Sequence, residues 1–269
     1  MKTIWKITPF LFVFLIVAIC GKAQSLVLEN IRCITADTVF FTKPVWSPDG
    51  KQLLLTGQNN RGLFLYDTVK KSIEHVNNNI RMKNKPVWLN SGEIAYSERN
   101  KISYISRFKT TATDTAKILL VVNTRKQKVE SVSFTGDAKR DITPDKGLYY
   151  NPVVSPDGKK TVIHLGSQMY LYATDGSGMI KKLGTGLASS WSADSEYVFY
   201  FLDTSIDGHQ TTNSELYVVN ILTNAHQPLT QTNDMIEMWP DVSPDGKNIA
   251  FADQKTGLIF TATIKTSCE

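Results

Sequence analysis

An all-β fold built from repeated antiparallel units is predicted by three observations. First, a six-residue phrase recurs as Trp46-Ser47-Pro48-Asp49-Gly50-Lys51, Val154-Ser155-Pro156-Asp157-Gly158-Lys159 and Val242-Ser243-Pro244-Asp245-Gly246-Lys247. Two degenerate copies stand between them, Trp88-Leu89-Asn90-Ser91-Gly92-Glu93 and Trp191-Ser192-Ala193-Asp194-Ser195-Glu196. Second, counted at the Asp position, successive copies lie 42, 66, 37 and 51 residues apart. A period of roughly 40–50 residues marks a propeller or a solenoid. Third, apolar segments of strand length follow each copy, and no segment shows helical periodicity. With 42% hydrophobic and 20% charged residues in 269, the chain is of ordinary globular composition, which excludes a disordered or collagen-like chain and a Cys-rich miniprotein.

The phrase itself is turn chemistry. Pro presets φ for the second position of a tight turn, Asp accepts hydrogen bonds from its own turn backbone, and Gly accepts the positive φ that follows. Ser195 stands where the other copies have Gly, so the same left-handed conformation there costs on the order of 1 kcal/mol.

Strands are expected on either side of each turn and beyond it. Lys51–Leu55, Thr161–Leu165 and Asn248–Ala252 follow the turns directly. Gly62–Asp67, Gln168–Thr174, Glu215–Ile221 and Gly257–Thr263 come next, and Lys71–Val76, Ile180–Leu183 and Gln227–Thr230 form weaker fourth segments. About four strands per repeat is the blade pattern of a β-propeller. Five blades of four antiparallel strands are expected. The 66-residue interval, with extra chain around 97–117 and 136–147, leaves room for a degenerate sixth.

The repeat Pro-x-Trp-Ser-Pro-Asp-Gly-Lys followed by an apolar strand resembles that of the TolB-type β-propellers, matching best at Pro44 to Leu55, Pro152 to Ile163 and Pro240 to Phe251. The resemblance covers residues 40–264. It implies a single propeller over 24–269 with contacts to proteins of the bacterial cell envelope. Only about 17 residues separate the expected cleavage site from the first repeat. That leaves no room for the separate N-terminal α/β domain typical of TolB, and sets TolB's own role apart from this chain.

Residues 1–23 read as a signal peptide. Lys2 and Lys6 form a positive start, Phe10 to Ile19 an apolar run, and Gly21-Lys22-Ala23 the small residues of a cleavage site before Gln24. The run is shorter than the roughly 20 residues that span a bilayer, so no membrane span is expected after cleavage. Periplasmic or secreted localisation follows. Of the formal net charge of +5, three Lys lie in this segment, leaving 27 bases against 25 acids, so nucleic acid is not an expected partner.

Export permits disulfides. Ser25–Thr35 is strand-like and has no repeat of its own, so it is expected to close the ring as the outer strand of the last blade. Cys33 and Cys268 would then come together as a staple, for which loop-closure entropy assigns about 4–5 kcal/mol. The alternative is two free thiols.

In a propeller the first strand of each blade lines the channel. The Ser-Pro-Asp-Gly turns lie on one face, and the longer connections at 97–117, 136–150, 203–213 and 231–238 lie on the other. The residues before each first strand, Lys43, Lys85, Asn151, Ser189 and Trp239, are the expected ring at the channel mouth on that second face. Two cations and an aromatic there suit an acidic or peptide ligand; otherwise they are strand-lead residues packed between blades. Trp46, Trp88 and Trp191, which share one repeat position, are expected in the core. Asp203, Ser205 and Asp207 with Gly208 resemble the first half of a calcium loop, though the acid twelve positions on is replaced by Ser214. An ordinary hairpin loop is the other reading, and no cofactor is otherwise expected.

His75, His164, His209 and His226 show no zinc spacing, and no Gly-x-Ser-x-Gly elbow occurs. The expectation is therefore an exported, non-catalytic propeller that mediates protein–protein interaction in the cell envelope. The alternative is a carbohydrate-active enzyme similar to the oligogalacturonate lyases, or a glycan-binding module. His164, His209 and Gln210 are its candidate residues, without a matching motif.

Overall fold

The computed structural model describes residues 24–36, 39–82, 85–89, 93–98, 101–105, 119–132, 139–206 and 210–268. The signal segment, Asp207 and His209 therefore lie outside the described residues, as do most of 97–117 and part of 136–147. The chain is an all-β, five-bladed propeller. Blade 1 comprises β2 (Phe41–Trp46), β3 (Gln52–Gly57), β4 (Arg61–Asp67) and β5 (Ser72–Arg81). Blade 3 comprises β12 (Tyr149–Val154), β13 (Lys160–Leu165), β14 (Gln168–Ala173) and β15 (Met179–Thr185). Blade 4 comprises β16 (Leu187–Trp191), β17 (Tyr197–Ser205), β18 (Thr211–Asn220) and β19 (His226–Pro228).

Blade 5 takes β20 (Glu237–Val242), β21 (Asn248–Asp253) and β22 (Leu258–Cys268) from the end of the chain and its outer strand, β1 (Gln24–Cys33), from the beginning. The ring thus closes by the strand exchange expected of Ser25–Thr35. Ser25 and Ser267 hydroxyls meet at 2.6 Å across this pair. The Gln227 side chain of blade 4 accepts from the Leu26 N–H at 2.9 Å and donates to the Leu26 carbonyl, tying the closing strand to its neighbour blade.

The disulfide expectation is overturned by the register of that closure. The strands are antiparallel, so Gln24 lies opposite Cys268 and Cys33 opposite Phe260. Eight residues of strand, about 27 Å at roughly 3.4 Å per residue, separate the two cysteines. A disulfide needs Cα atoms within about 7 Å. Cys33 is exposed and free, its thiol directed to the Thr35 carbonyl at 3.1 Å.

Blade 2 departs from four continuous strands. It holds two three-stranded sheets: β6 (Val87–Trp88), β7 (Ile94–Glu98) and β8 (Lys101–Ile105), then β9 (Leu119–Asn123), β10 (Lys128–Val132) and β11 (Lys139–Asp141). The long interval does not add a sixth blade, and a recurring turn shows why. Asn123 Oδ1 accepts the N–H groups of Arg125 and Lys126 before Gln127 at φ +56°. Asp67 does the same for Val69 and Lys70 before Lys71 at φ +53°, and Asn220 for Leu222 and Thr223 before Asn224 at φ +61°. In blades 1 and 4 this turn joins the third strand to the fourth, so β9 and β10 are the third and fourth strands of blade 2. β8 is an inserted partner of β7: Glu98 opposite Lys101 closes a local hairpin that satisfies the β7 edge.

The core lies between blades. Five apolar clusters correspond to five blade interfaces. Leu171 and Leu183 meet Val198 and Val219 between blades 3 and 4; Phe201 and Leu216 meet Met238 and Phe251 between blades 4 and 5. Val129 of β10 packs with Ile163 and Tyr172 of blade 3, which confirms the place of that strand. Burying each such side chain stabilises by about 1.5–3 kcal/mol. Trp88 and Trp191 of the phrase are buried in the core and Trp46 is half-buried against it, and all three staple the interfaces. Trp46 Nε1 donates to the Asp241 carbonyl (3.0 Å), Trp88 Nε1 to that of Val45 (3.3 Å) and Trp191 Nε1 to that of Val153 (2.9 Å). Each reaches back one blade.

The turns behave as their residues require. Ser47 Oγ donates to Asp49 Oδ1 (2.6 Å), and Asp49 Oδ1 accepts the Lys51 N–H (3.1 Å). Gly50, Gly158 and Gly246 have φ near +70°, and Ser195 adopts +62°. The serine has a compensation: its Oγ, buried, accepts the Asp157 N–H from the neighbouring blade's turn at 3.2 Å.

Candidate functional site at the channel mouth

At the other end of the inner strands the chain bulges. Lys43 (φ +50°), Asn151 (+45°) and Trp239 (+59°) adopt a conformation L-residues rarely take, each just before a proline. The strand registers shift at these points, between Thr42 and Val45, Tyr150 and Val153, and Met238 and Asp241. Such a bulge breaks the two-residue alternation and re-aims a side chain. Blade 4 differs by one place. Val153 pairs with Val162 and Ser190 with Phe199, so Ala188 is the equivalent of Asn151 and Ser189 occupies the proline position. Ser189 is thus not the ring residue of its blade, although its oxygens do face the mouth.

Two lysines meet there in unlike environments. Lys85 Nζ donates to Asp241 Oδ1 at 2.5 Å and to the carbonyl and hydroxyl oxygens of Ser189 at 3.2 and 3.3 Å. Asp241 Oδ2 accepts the Trp46 N–H at 2.7 Å. Burial pushes the Asp241 carboxyl up, and the Lys85 ammonium and the Trp46 N–H offset part of that rise. Lys43 has no acid. Its Nζ donates to Asn60 Oδ1 at 2.7 Å and stands 4.8 Å from the Trp239 ring centroid, a cation–π contact. Only 9% exposed, it is lowered to about 8, first by burial and then by the charge of Lys85. Among the described residues the mouth therefore presents one neutralised cation and one that lacks a counter-charge.

Asn151 and His164 complete the rim on the far side. Asn151 Nδ2 donates to the Ala188 carbonyl at 2.8 Å. His164 Nε2 accepts the Ala188 N–H at 2.9 Å, so the ring proton sits on Nδ1, which donates to the Asn151 carbonyl at 3.1 Å. Burial lowers this imidazole to about 4. With both nitrogens occupied by backbone it serves as a strut between blades 3 and 4.

Asp241 and Asn60 are site residues that reading of the repeat passed over. Asp241 was detectable: the other copies have Val45, Val87, Val153 and Ser190 at its position, and an acid in an apolar column signals a buried partner. Asn60 leaves no such signal, because it belongs to the connection between β3 and β4. The calcium candidates Asp203 and Ser205 lie at the end of β17, opposite Ser214 and Thr211, while Asp207 and Gly208 lie outside the described residues. Among the described residues no three His, Cys, Asp or Glu side chains are grouped to hold a metal. On the turn face, a groove of about 340 Å³ runs between blades 4 and 5 over Leu26, Tyr197 and Phe199.

No protein-family model matches the chain, and no curated protein matches it. Solved structures do. An oligogalacturonate lyase from Vibrio parahaemolyticus aligns over 90% of this chain and 97% of its own at 11% identity, with a TM-score of 0.55. The hydrazine synthase of Kuenenia stuttgartiensis aligns over 81% and 75% at 15% identity, with a TM-score of 0.53. TolB from Acinetobacter baumannii aligns over 86% of this chain at 17% identity and a TM-score of 0.44; the chain spans 56% of that protein's length. The likenesses to the lyase and the synthase are of fold alone, and one fold hosts many activities.

Proposed function

We propose that this chain is an exported, non-catalytic β-propeller that binds another protein of the bacterial cell envelope at its channel mouth, in the periplasm or outside the cell. The observation that supports it is Lys43: a buried ammonium at a bulge, held over Trp239 and an amide oxygen, with no acid against it among the described residues. Keeping an uncompensated cation out of water costs stability. A carboxylate supplied by a partner would recover that cost, which fits an acidic segment of a protein ligand. Lys85 and Asp241 form the fixed wall beside it.

The test is capture of envelope proteins on the mature chain, followed by a binding titration with the protein recovered. Retention by the native chain, with a loss of tenfold or more in affinity for Lys43→Ala and Trp239→Ala at unchanged folding, is the expected result. Equal affinity of both variants would remove the mouth as the docking surface.

A further inference from the structure

In blade 5 the outer half of the sheet overruns the inner half at the turn face. The strands β22 and β1 stay paired as far as Cys268 and Gln24. Their inner neighbour β21 begins only at Asn248, opposite Thr263. The last contact on that side is the Ile264 N–H donating to the Lys247 carbonyl at 2.8 Å. Past it the β1–β22 ribbon continues as one wall of the groove of about 340 Å³ between blades 4 and 5.

The orientation of Thr266 in that wall follows from register. Leu26 pairs with Thr266, and the Leu26 N–H and carbonyl are both turned away from β22, to the Gln227 side chain. In an antiparallel ladder both members of such a pair point their amide groups outward. The Thr266 N–H and carbonyl therefore face the side that β21 does not reach, exposed and without a partner among the described residues. An open edge of this kind is a template for another strand.

The groove beside this edge has an apolar floor and an acidic rim. Leu26 and Ile264 of blade 5 and Tyr197 and Phe199 of blade 4 form the floor. Asp194, Glu196 and Asp245, all exposed, form the rim. Asp194 and Asp245 each spend Oδ1 on their own turn, accepting a seryl hydroxyl and a backbone N–H. No ion pair among the described residues neutralises any of the three acids, whereas Asp157 of blade 3 has Lys160 Nζ at 3.5 Å. The repeat shows what has changed. Glu196 stands where blades 1, 3 and 5 have Lys51, Lys159 and Lys247, and Tyr197 where blade 3 has Lys160. Lys247, next but one to Asp245, is exposed and makes no ion pair with the rim.

We propose that this groove binds an extended, basic segment of another protein, one that joins a large apolar side chain to Lys or Arg. The segment adds to the Thr266 edge of β22, lays its apolar side chain on Leu26, Ile264 and Tyr197, and sets its cations against Asp194, Glu196 and Asp245. Main-chain bonds then give affinity, and the floor and rim give selectivity. The charge complementarity commits the groove to a cationic occupant: an acidic segment would meet three unneutralised carboxylates. The volume is at the low end of ligand pockets, which suits peptide side chains rather than a cofactor. The surface lies on the face opposite Lys43, so it does not depend on the reading of the channel mouth.

The experiment selects a phage-displayed library of random heptapeptides on the full chain, with the Glu196→Lys chain as parallel bait. Peptides joining Leu, Ile or Phe to Lys or Arg should be enriched on the native chain alone. Once synthesised, they should bind Glu196→Lys about tenfold more weakly, and bind the native chain less tightly as salt rises from about 50 to 500 mM. The Thr266 amide should gain protection from hydrogen exchange on binding. Thr266→Pro should weaken binding by a similar factor, since it removes an outward N–H that no ladder bond uses and edge strands tolerate Pro. Lys43→Ala should leave the affinity unchanged. The proposal is overturned if no peptide is enriched, if the enriched peptides lack a cation, if Glu196→Lys binds them as well as the native chain does, or if the Thr266 amide stays unprotected. Loss of binding in Lys43→Ala would move the peptides to the mouth and also overturn it. So would a dimer in sedimentation that Glu196→Lys dissolves, because the occupant would then be a second copy of this chain. Glu196→Lys installs the residue of three other blades at an exposed position. Should Thr266→Pro fail to fold, exchange at the native Thr266 amide decides whether the edge is used.

Discussion

The two ends of the inner strands solve opposite problems. At the turn end three aspartates are exposed and locally satisfied: Asp49, Asp157 and Asp245 each accept a seryl hydroxyl and a backbone N–H from their own turn. Hydrogen bonds of this kind hold Asp49 and Asp245 below the usual carboxylate range, and the same bonds outweigh partial burial to lower Asp157. At the mouth end the charges are buried and differ from blade to blade: Lys43 without an acid among the described residues, Lys85 against Asp241, Glu237 against the Thr232 hydroxyl. The mouth end breaks the repeat, and burying its charges costs stability.

The sharpest way to break this contrast is to remove Asp241. Asp241→Ala leaves Lys85 buried without its partner, and a loss of about 3–5 kcal/mol in urea unfolding is expected. The double variant Asp241→Val with Lys85→Met restores the apolar column of the other blades and should return most of that loss. If it does not, Asp241 matters for more than pairing.

Next in size is a pH effect that separates the two ends. Glu237 has a folded pKa raised to about 7 from an ordinary 4.5. The folded state therefore binds the extra proton, and the contribution is fully present below about 4.5 and lost as pH rises to about 7. Stability should fall by about 1–3 kcal/mol across that window, and Glu237→Gln should flatten it. The turn aspartates act in the opposite sense. Their lowered pKa values contribute above the ordinary carboxylate range and are lost as pH falls through it, so the acid limb should persist in the same variant. Denaturant midpoints from pH 3 to 8 measure both limbs together.

Lys43 sharpens the contrast further because its substitution should stabilise. A lysine lowered to about 8 is charged at pH 7 at a cost to the fold, and stability should rise as pH goes from about 8 to 10.5. Lys43→Met should raise stability at neutral pH by about 1–2 kcal/mol while abolishing partner capture. A destabilised Lys43→Met would show the ammonium to be structural. The smallest effect belongs to the turn end. Ser195→Gly relieves a left-handed serine but forfeits the acceptor for the Asp157 N–H, so a net change within about 0.5 kcal/mol is expected by thermal unfolding.

Much of this molecule follows from local residues. The Ser-Pro-Asp-Gly phrase sets its own turn by short-range bonds, the strands after it announce themselves by apolar content, and the tryptophan column lies in or against the core, Trp88 and Trp191 buried and Trp46 half-buried. Ring closure by Ser25–Thr35 was legible because that segment was a strand without a blade. What local sequence left open was decided by pairing between distant segments. The antiparallel register of β1 on β22 carries Cys33 and Cys268 to opposite ends of one strand pair, and register is a property of two strands together. The division of blade 2 depends on which partner the β7 edge finds, a choice between a nearby hairpin and a strand farther along. The mouth is the clearest case. Lys43, Lys85 and Trp239 could be named from their repeat position, but whether a cation there is neutralised depends on Asp241 and Asn60, which stand in other blades or connections. Charge compensation is set by through-space distance, and only the closed ring fixes those distances.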